Sequence, residues 1–253
     1  MPTIDLNADL GEGFGRWQVA DEHDVLPLVT SASVACGFHA GDPLTMRRTV
    51  ALARRHGVAV GAHPGYRDLV GFGRRDLGAS PQEITADVVY QIGALAAVCR
   101  AEGARVRYVK PHGALYNRAV VDADAADAIA EGVRLADPSL ALLGLAGSAL
   151  VAAAERAGLR AVGEAFADRA YLAGGRLAPR GRPGAVLDDA GAAVRQALDI
   201  VREGRVRTLD GATHELAAGS LCVHGDNPHA PALLRALRAA FARAGIAVAA
   251  FAA

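Results

Sequence analysis

Lysine is almost missing from this chain. Of its 27 basic residues Lys110 is the one lysine and the other 26 are arginine, so an ammonium group occurs at a single position in 253 residues. An ammonium is a compact donor that sheds its proton readily on burial, whereas a guanidinium stays charged and needs more room. The plain alternative is a lysine buried against one carboxylate. Cysteine is scarce as well: Cys36, Cys99 and Cys222 are an odd number at spacings of no metal motif, which fits reduced thiols in a reducing compartment. Net charge is zero, so there is no basic field to hold a phosphate backbone, and nucleic acid is excluded as a partner. A basic-then-apolar leader is missing after Met1, and no apolar run reaches the roughly 18 residues of a membrane span. The expectation is a cytoplasmic protein with no membrane partner. Linkers, repeats and low-complexity segments are also missing, so residues 1–253 read as one barrel-sized domain with ample apolar content, 52%.

What is present alternates. Short β-branched or apolar runs at Thr3–Leu6, Ser33–Gly37, Val58–Ala62, Val106–Val109, Leu140–Leu145, Arg160–Glu164 and Leu221–Val223 are separated by helical patterns. Ser80-Pro81-Gln82-Glu83 is a capping box with proline at the first helical position, and Gly103 is its stop. Asp42-Pro43 opens a helix that Gly57 closes, Gly158 and Gly204 end two more, and Asn227-Pro228 opens the last, closed at Gly245. Seven strands each followed by a helix imply parallel pairing, as an open doubly wound sheet or a closed barrel.

Polar residues at the strand ends decide between the two. Side chains two apart share a strand face, and this spacing joins Asp5, Asn7 and Asp9; Gly37 and His39; Gly61 and His63; Lys110 and His112; and His224 and Asp226. Each set falls at a C-terminal strand end, with four of the eight histidines among them. An open sheet gathers its site at one switch point, whereas a barrel gathers residues from many strand ends into one mouth. The reading is therefore a seven-stranded parallel (β/α) barrel, with glycine below His39 and His63 leaving interior room. A histidine that merely caps its strand explains any one of these residues better than it explains four in register.

Seven segments in order, Asp-Leu-Asn-Ala-Asp-Leu-Gly-Glu-Gly (5–13), Ala-Cys-Gly-Phe-His-Ala-Gly-Asp-Pro (35–43), Gly-Ala-His-Pro-Gly-Tyr (61–66), Gly-Phe-Gly-Arg-Arg (71–75), Val-Lys-Pro-His-Gly-Ala-Leu-Tyr-Asn (109–117), Phe-Ala-Asp-Arg-Ala-Tyr (166–171) and Val-His-Gly-Asp (223–226), resemble the LamB/YcsF family across essentially the whole chain. The resemblance implies a distorted seven-stranded barrel of the glycoside hydrolase/deacetylase type. It also implies opening of 5-oxoproline to L-glutamate with ATP as co-substrate, entering with Mg²⁺, in company with two partner subunits, B and C. The chain has no Gly-x-x-x-x-Gly-Lys-Ser/Thr loop, and the run Gly11 to Gly15 lacks the last glycine of a dinucleotide fingerprint. That run reads as a flexible loop over the mouth, and nucleotide activation is expected to need the partners.

The candidate catalytic residues are Asp9, His39, His63, Lys110, His112, His224 and Asp226. Asp9, or a histidine beside it, is the expected general base toward water, and Lys110 and His112 the stabilisers of charge on the former amide oxygen or its phosphate. His224 with Asp226 is the expected acid/base pair for the leaving nitrogen. Asn7, Arg74, Arg169 and Arg180 are the candidate substrate-binding residues, with Arg75 and Arg182 as further choices, because arginine suits a carboxylate bidentately. Asp9 with His39, His63 or His112 also has the ligand types of a divalent metal site, though no His-x-x-x-His pair supports one, and that question stays open. So do two rival readings: a metal-dependent deacetylase or amidohydrolase working without ATP, and a non-catalytic subunit that delivers 5-oxoproline. Cys36 reads as a buried inert thiol, and Trp17 and Tyr116 as lining or packing residues.

Overall fold

The structure, a computed structural model, describes residues 1–19, 22–187, 189–223 and 229–252. Six parallel strands follow in order: β1 (Thr3–Leu10), β2 (Ser31–Ala35), β3 (Ala59–His63), β4 (Val106–Val109), β5 (Ala141–Leu145) and β6 (Arg160–Phe166). A small antiparallel hairpin, β7 (Arg205–Arg207) with β8 (Thr213–Glu215), precedes β9 (Ser220–Cys222). Ser220 of β9 lies opposite Glu164 of β6 on one side and Asp5 of β1 on the other. That double pairing closes a seven-stranded barrel and leaves it no open edge. A two-residue β10 (Ala247–Val248) adds to the start of β1 from outside.

The helices are α1 (Glu22–Val25), α2 (Pro43–Arg55), α3 (Pro81–Ala101), α4 (Gly113–Ala119), α5 (Ala123–Ala136), α6 (Ala149–Arg156), α7 (Ala190–Glu203) and α8 (Ala230–Arg243). The punctuation holds. The Ser80–Glu83 capping box forms in both directions, Asp42 accepts from the Leu44 and Thr45 amides, and Gly204 closes α7 at φ 62° in the left-handed region. Asn227 and Pro228 lie outside the described residues. The one-helix-per-strand expectation is too regular. Both α4 and α5 follow β4, and residues 167–187 form an irregular arm in which Arg169 bridges Val186 and Tyr171 bridges Leu177. One further correction concerns α3, which is long and apolar enough by length and composition to cross a membrane. It buries Ile84, Val88, Ile92 and Leu95 against the fold, and its buried Gln91 bonds both polar groups of Gly65.

Strand alternation sorts β1 into two faces. Ile4, Leu6, Ala8 and Leu10 are buried in the apolar layer under the helices, while Asp5, Asn7 and Asp9 point into the barrel. The interior therefore stacks polar layers rather than apolar ones. In the lowest, Asp5 accepts from the hydroxyls of Thr30, Ser31 and Ser220, and Tyr108 bonds Ser33 at 3.1 Å. Gly61 does not leave an empty space: a Cβ there would lie 2.3 Å from the Tyr108 ring, which fills it.

Candidate active site

The middle layer is organised by Lys110, at the C-terminal end of β4. Its ammonium lies 2.8 Å from Glu164 Oε1, 2.9 Å from Asp9 Oδ1, 3.1 Å from Asn7 Oδ1 and 3.2 Å from Cys222 Sγ. The Phe166 ring lies 5.6 Å away as a cation–π partner. Burial alone would push this lysine toward neutrality. The Asp9 charge, joined by Cys222 and Glu164, reverses that and holds the group well above the usual lysine range. Lys110 is thus a fixed cation and does not serve as a base. Its three N–H donors are matched by Asp9, Glu164 and Asn7, so it acts on Asp9 rather than reaching freely into the cavity. Asn7 is fully buried beneath it and donates to Glu164 and Ser220. That uses its side chain inside the barrel, away from any incoming ligand.

Above this lies a cluster of histidines. His63 Nε2 is 3.4 Å from Asp9 Oδ2 and 3.0 Å from His112 Nδ1. Glu12 Oε1 is 3.2 Å from His39 Nε2 and 3.4 Å from His112 Nδ1. The His39 and His112 rings stack, with centroids 3.7 Å apart and planes 3° from parallel. Burial, and then the neighbouring His63, push His39 well below the usual histidine range, so it is neutral. Phe72 stands edge-on to both stacked rings. Its own φ of 54° is unusual for a residue other than glycine, and the tight turn that imposes it is stapled by the Arg75–Asp68 ion pair. Arg75 is thereby committed to structure rather than to a ligand.

Glu12, His39, His63 and His112 have ligand atoms within 4.8 Å of one another, the spacing of a metal donor set. Ring geometry argues against one ion for all four. An imidazole lone pair lies in the plane of its ring, and two parallel planes at stacking distance share no point where one ion meets both lone pairs. One ion is not shared by both stacked rings, whereas His63 and His112, whose planes are nearly perpendicular and whose facing nitrogens lie 3.0 Å apart beside Asp9 and Glu12, have the donor types of a divalent site.

A cavity of about 480 Å³ opens onto this floor. Asp9, Glu12, His63, Lys110 and His112 line its depth, and Arg74, Arg169, Arg176 and Arg180 its wall. Arg169 spends its guanidinium on the carbonyls of Ala178 and Ala185, so it shapes the wall. Arg176 and Arg180 have no carboxylate partner among the described residues. Arg182 is exposed and outside the cavity lining. His224 and Asp226 lie outside the described residues.

Residues 4–253 match the LamB/YcsF family over nearly their whole length. The chain belongs to that family. Among its relatives, the 5-oxoprolinase A-subunit of Nocardia farcinica is 58% identical, covering 99% of this chain and all of that one. The Bordetella pertussis protein of the same name is 55% identical over 98% of each chain. The crystal structure of the lactam utilization protein from Thermus thermophilus superposes with a TM-score of 0.93 at 51% identity, covering 98% of this chain and all of that one. A peptidoglycan N-acetylglucosamine deacetylase catalytic domain from Eubacterium rectale shares the fold at TM-score 0.53 and 11% identity, over 100% and 90% of the two chains.

In this LamB/YcsF chain, three site residues escaped the sequence reading: Arg176 of the cavity wall, Glu164 and Glu12. Glu164 sits in Arg-Ala-Val-Gly-Glu-Ala-Phe (160–166). A single carboxylate at the C-terminal end of an otherwise apolar strand was the available signal. Glu12 was hidden by its flanking glycines, which read as a flexible loop. The loop is tied down instead: the Gly11 amide donates to Glu22, the Gly15 amide to Asp42, and Gly13 accepts from Gly41. Cys36 is an inert core thiol, pushed up to about 12 by burial. Tyr116 lines the cavity and donates to Glu164 at 2.7 Å, whereas Trp17 is exposed.

Proposed function

We propose that this chain is the barrel subunit of an ATP-dependent 5-oxoprolinase, adding water to the lactam carbon of 5-oxoproline to yield L-glutamate, with partner subunits B and C. The observation that carries the reading is the cavity floor: a carboxylate, Asp9, fixed on one oxygen by a buried ammonium and facing an imidazole with the other. Such a group is aimed and kept ionised, which is what a general base toward water needs. The guanidiniums of Arg176 and Arg180, without a carboxylate among the described residues, suit the carboxylate of the substrate, with Arg74 beside them. Opening an unstrained lactam with water is slow, so phosphorylation of the amide oxygen by ATP, supplied as its magnesium complex, makes the carbon attackable. That step is assigned to the partners, because the sequence has no Gly-x-x-x-x-Gly-Lys-Ser/Thr loop. Dependence on ATP and the three buried thiols, none in a disulfide, are consistent with the cytoplasm.

The test is glutamate and ADP formation from 5-oxoproline and ATP by the chain alone, by the chain with B and C, and by the full set carrying Lys110→Met. Activity is expected only in the full set. The variant should lose it while still assembling, at a stability loss of about 3–5 kcal/mol for an unpaired buried charge. Turnover by the chain alone without ATP would favour a deacetylase-like hydrolase instead. Full activity in the variant would make Lys110 purely structural.

A further inference from the structure

We propose that the rim of the barrel mouth is the docking surface for the partner subunit that activates the lactam, and that it fits an apolar face edged with carboxylates. The assignment starts from large apolar side chains left in water. Val70 is 94% exposed, Trp17 74% and Leu44 67%, and Leu69 and Leu77 are exposed as well. Scattered singly, such residues need no explanation. These five lie on three consecutive segments at one end of the barrel: Trp17 after β1, Leu44 in the first turn of α2, and Leu69, Val70 and Leu77 between β3 and α3. That is the end at which the cavity over Asp9 opens.

The three segments are joined and preformed. The Gly41 amide donates to the Gly13 carbonyl and the Gly15 amide to Asp42, which ties the first segment to the start of α2. Arg67 lies over the Phe38 ring at 5.3 Å and Phe72 stands edge-on to His39, which ties the second segment to the third. Trp17 is held although it is exposed: its amide and carbonyl exchange bonds of 2.9 Å with Phe14, and the two rings stack with centroids 6.5 Å apart. An exposed tryptophan already fixed in place, on a rim that also carries aliphatic side chains, has the make-up of an interface anchor, because little freedom is left for it to lose on binding.

Charge selects the occupant. Arg16 adjoins Trp17, and Arg74, Arg176 and Arg180 line the cavity wall; Arg16, Arg176 and Arg180 have no carboxylate partner among the described residues. Against them the third segment offers the exposed Asp76, which lies 3.9 Å from Arg118. A second copy of this chain docked by the same rim would set arginines against arginines, because a two-fold interface pairs one patch with itself. A partner with carboxylates around an apolar centre is matched instead. The inference rests on the reading that this site opens an activated lactam. Such a species is lost to water once it is released, and a rim that expels water lets it pass from the activating subunit to Asp9 intact.

Sedimentation velocity of the full chain mixed with B and C tests this, with glutamate formation measured on the same samples. Val70 faces water, so Val70→Glu should keep the native Tm, and both it and Trp17→Ala should weaken the complex at least about tenfold. Leu135, 57% exposed in the last turn of α5 on the way to the start of β5, marks the other end of the barrel, and Leu135→Glu should assemble as the native chain does. Normal assembly of Val70→Glu and Trp17→Ala, or an equal loss in Leu135→Glu, would overturn the proposal. A native chain that binds neither partner would overturn it too, as would one that sediments alone as a dimer split by Val70→Glu, which would give the surface to a second copy. Should the native complex assemble yet form no glutamate, the lactam reading fails, and the sedimentation result still decides whether the rim is where the partner sits.

Discussion

Asp5 and Asp9 lie on one strand, on one face, four residues apart, yet their chemistry differs. Asp5 is buried among three hydroxyls, and burial raises its carboxyl above the usual range despite those bonds. Asp9 meets an ammonium at 2.9 Å and an imidazole at 3.4 Å, and it lines the cavity. The strand dictates where both groups point. What each can do is set by the layer of the barrel it enters, and that layer is furnished by other strands: Ser31 and Ser220 below, Lys110 and His63 above.

The sharpest way to break this contrast is to make the same substitution twice. Asp9→Asn keeps size and removes the base, so kcat of the assembled enzyme should fall by roughly 10²–10⁴. Asp5→Asn should leave kcat unchanged, because the lower layer touches no substrate. Steady-state glutamate formation measures both. Equal losses would mean that the interior works as one network and that the two layers are not separable.

This difference was only half legible in the sequence. Alternation is a local property, so the shared face of Asp5, Asn7 and Asp9, and the gathering of His39, His63, Lys110 and His112, followed from spacing alone, as did the parallel barrel. The partner across the barrel is a non-local property. Asn7 looked as available as Asp9 until Lys110 and Glu164 were seen to occupy it, and Arg169 looked like a clamp until two carbonyls were found to hold it. The second strand also ends at Ala35 rather than Gly37, since Gly37, at φ 94°, turns the chain and donates to the Ala40 carbonyl.

A smaller effect probes what fills the lower layer. Gly61 lies opposite Tyr108 in the register, and a methyl group there would press on a ring that is fully buried and packed edge-on against Phe251. Gly61→Ala is expected to cost about 1–3 kcal/mol by overpacking, a fall in Tm of about 2–4 °C per kcal/mol for a chain of this size. Thermal unfolding checks it. An unchanged Tm would show that the layer yields, and that Tyr108 does not depend on the missing side chain.

The smallest expected effect is a slope rather than a step. Asp5 has a folded-state pKa above its ordinary value near 3.8, so between those two values the folded chain binds more protons than the unfolded one. By linkage its contribution to stability is fully present below the ordinary value and is lost as pH rises toward the folded value. Lys110 adds nothing to this window, because its shift lies above the ordinary lysine value of 10.5. Urea unfolding of the native chain and of Asp5→Asn, run from about pH 4 upward in steps, should show the native chain losing stability relative to the variant. A difference that stays flat would mean that the three hydroxyls solvate Asp5 well enough to cancel its burial. The lower layer would then hold a relaxed carboxylate, and the contrast with Asp9 would rest on Lys110 and His63 alone.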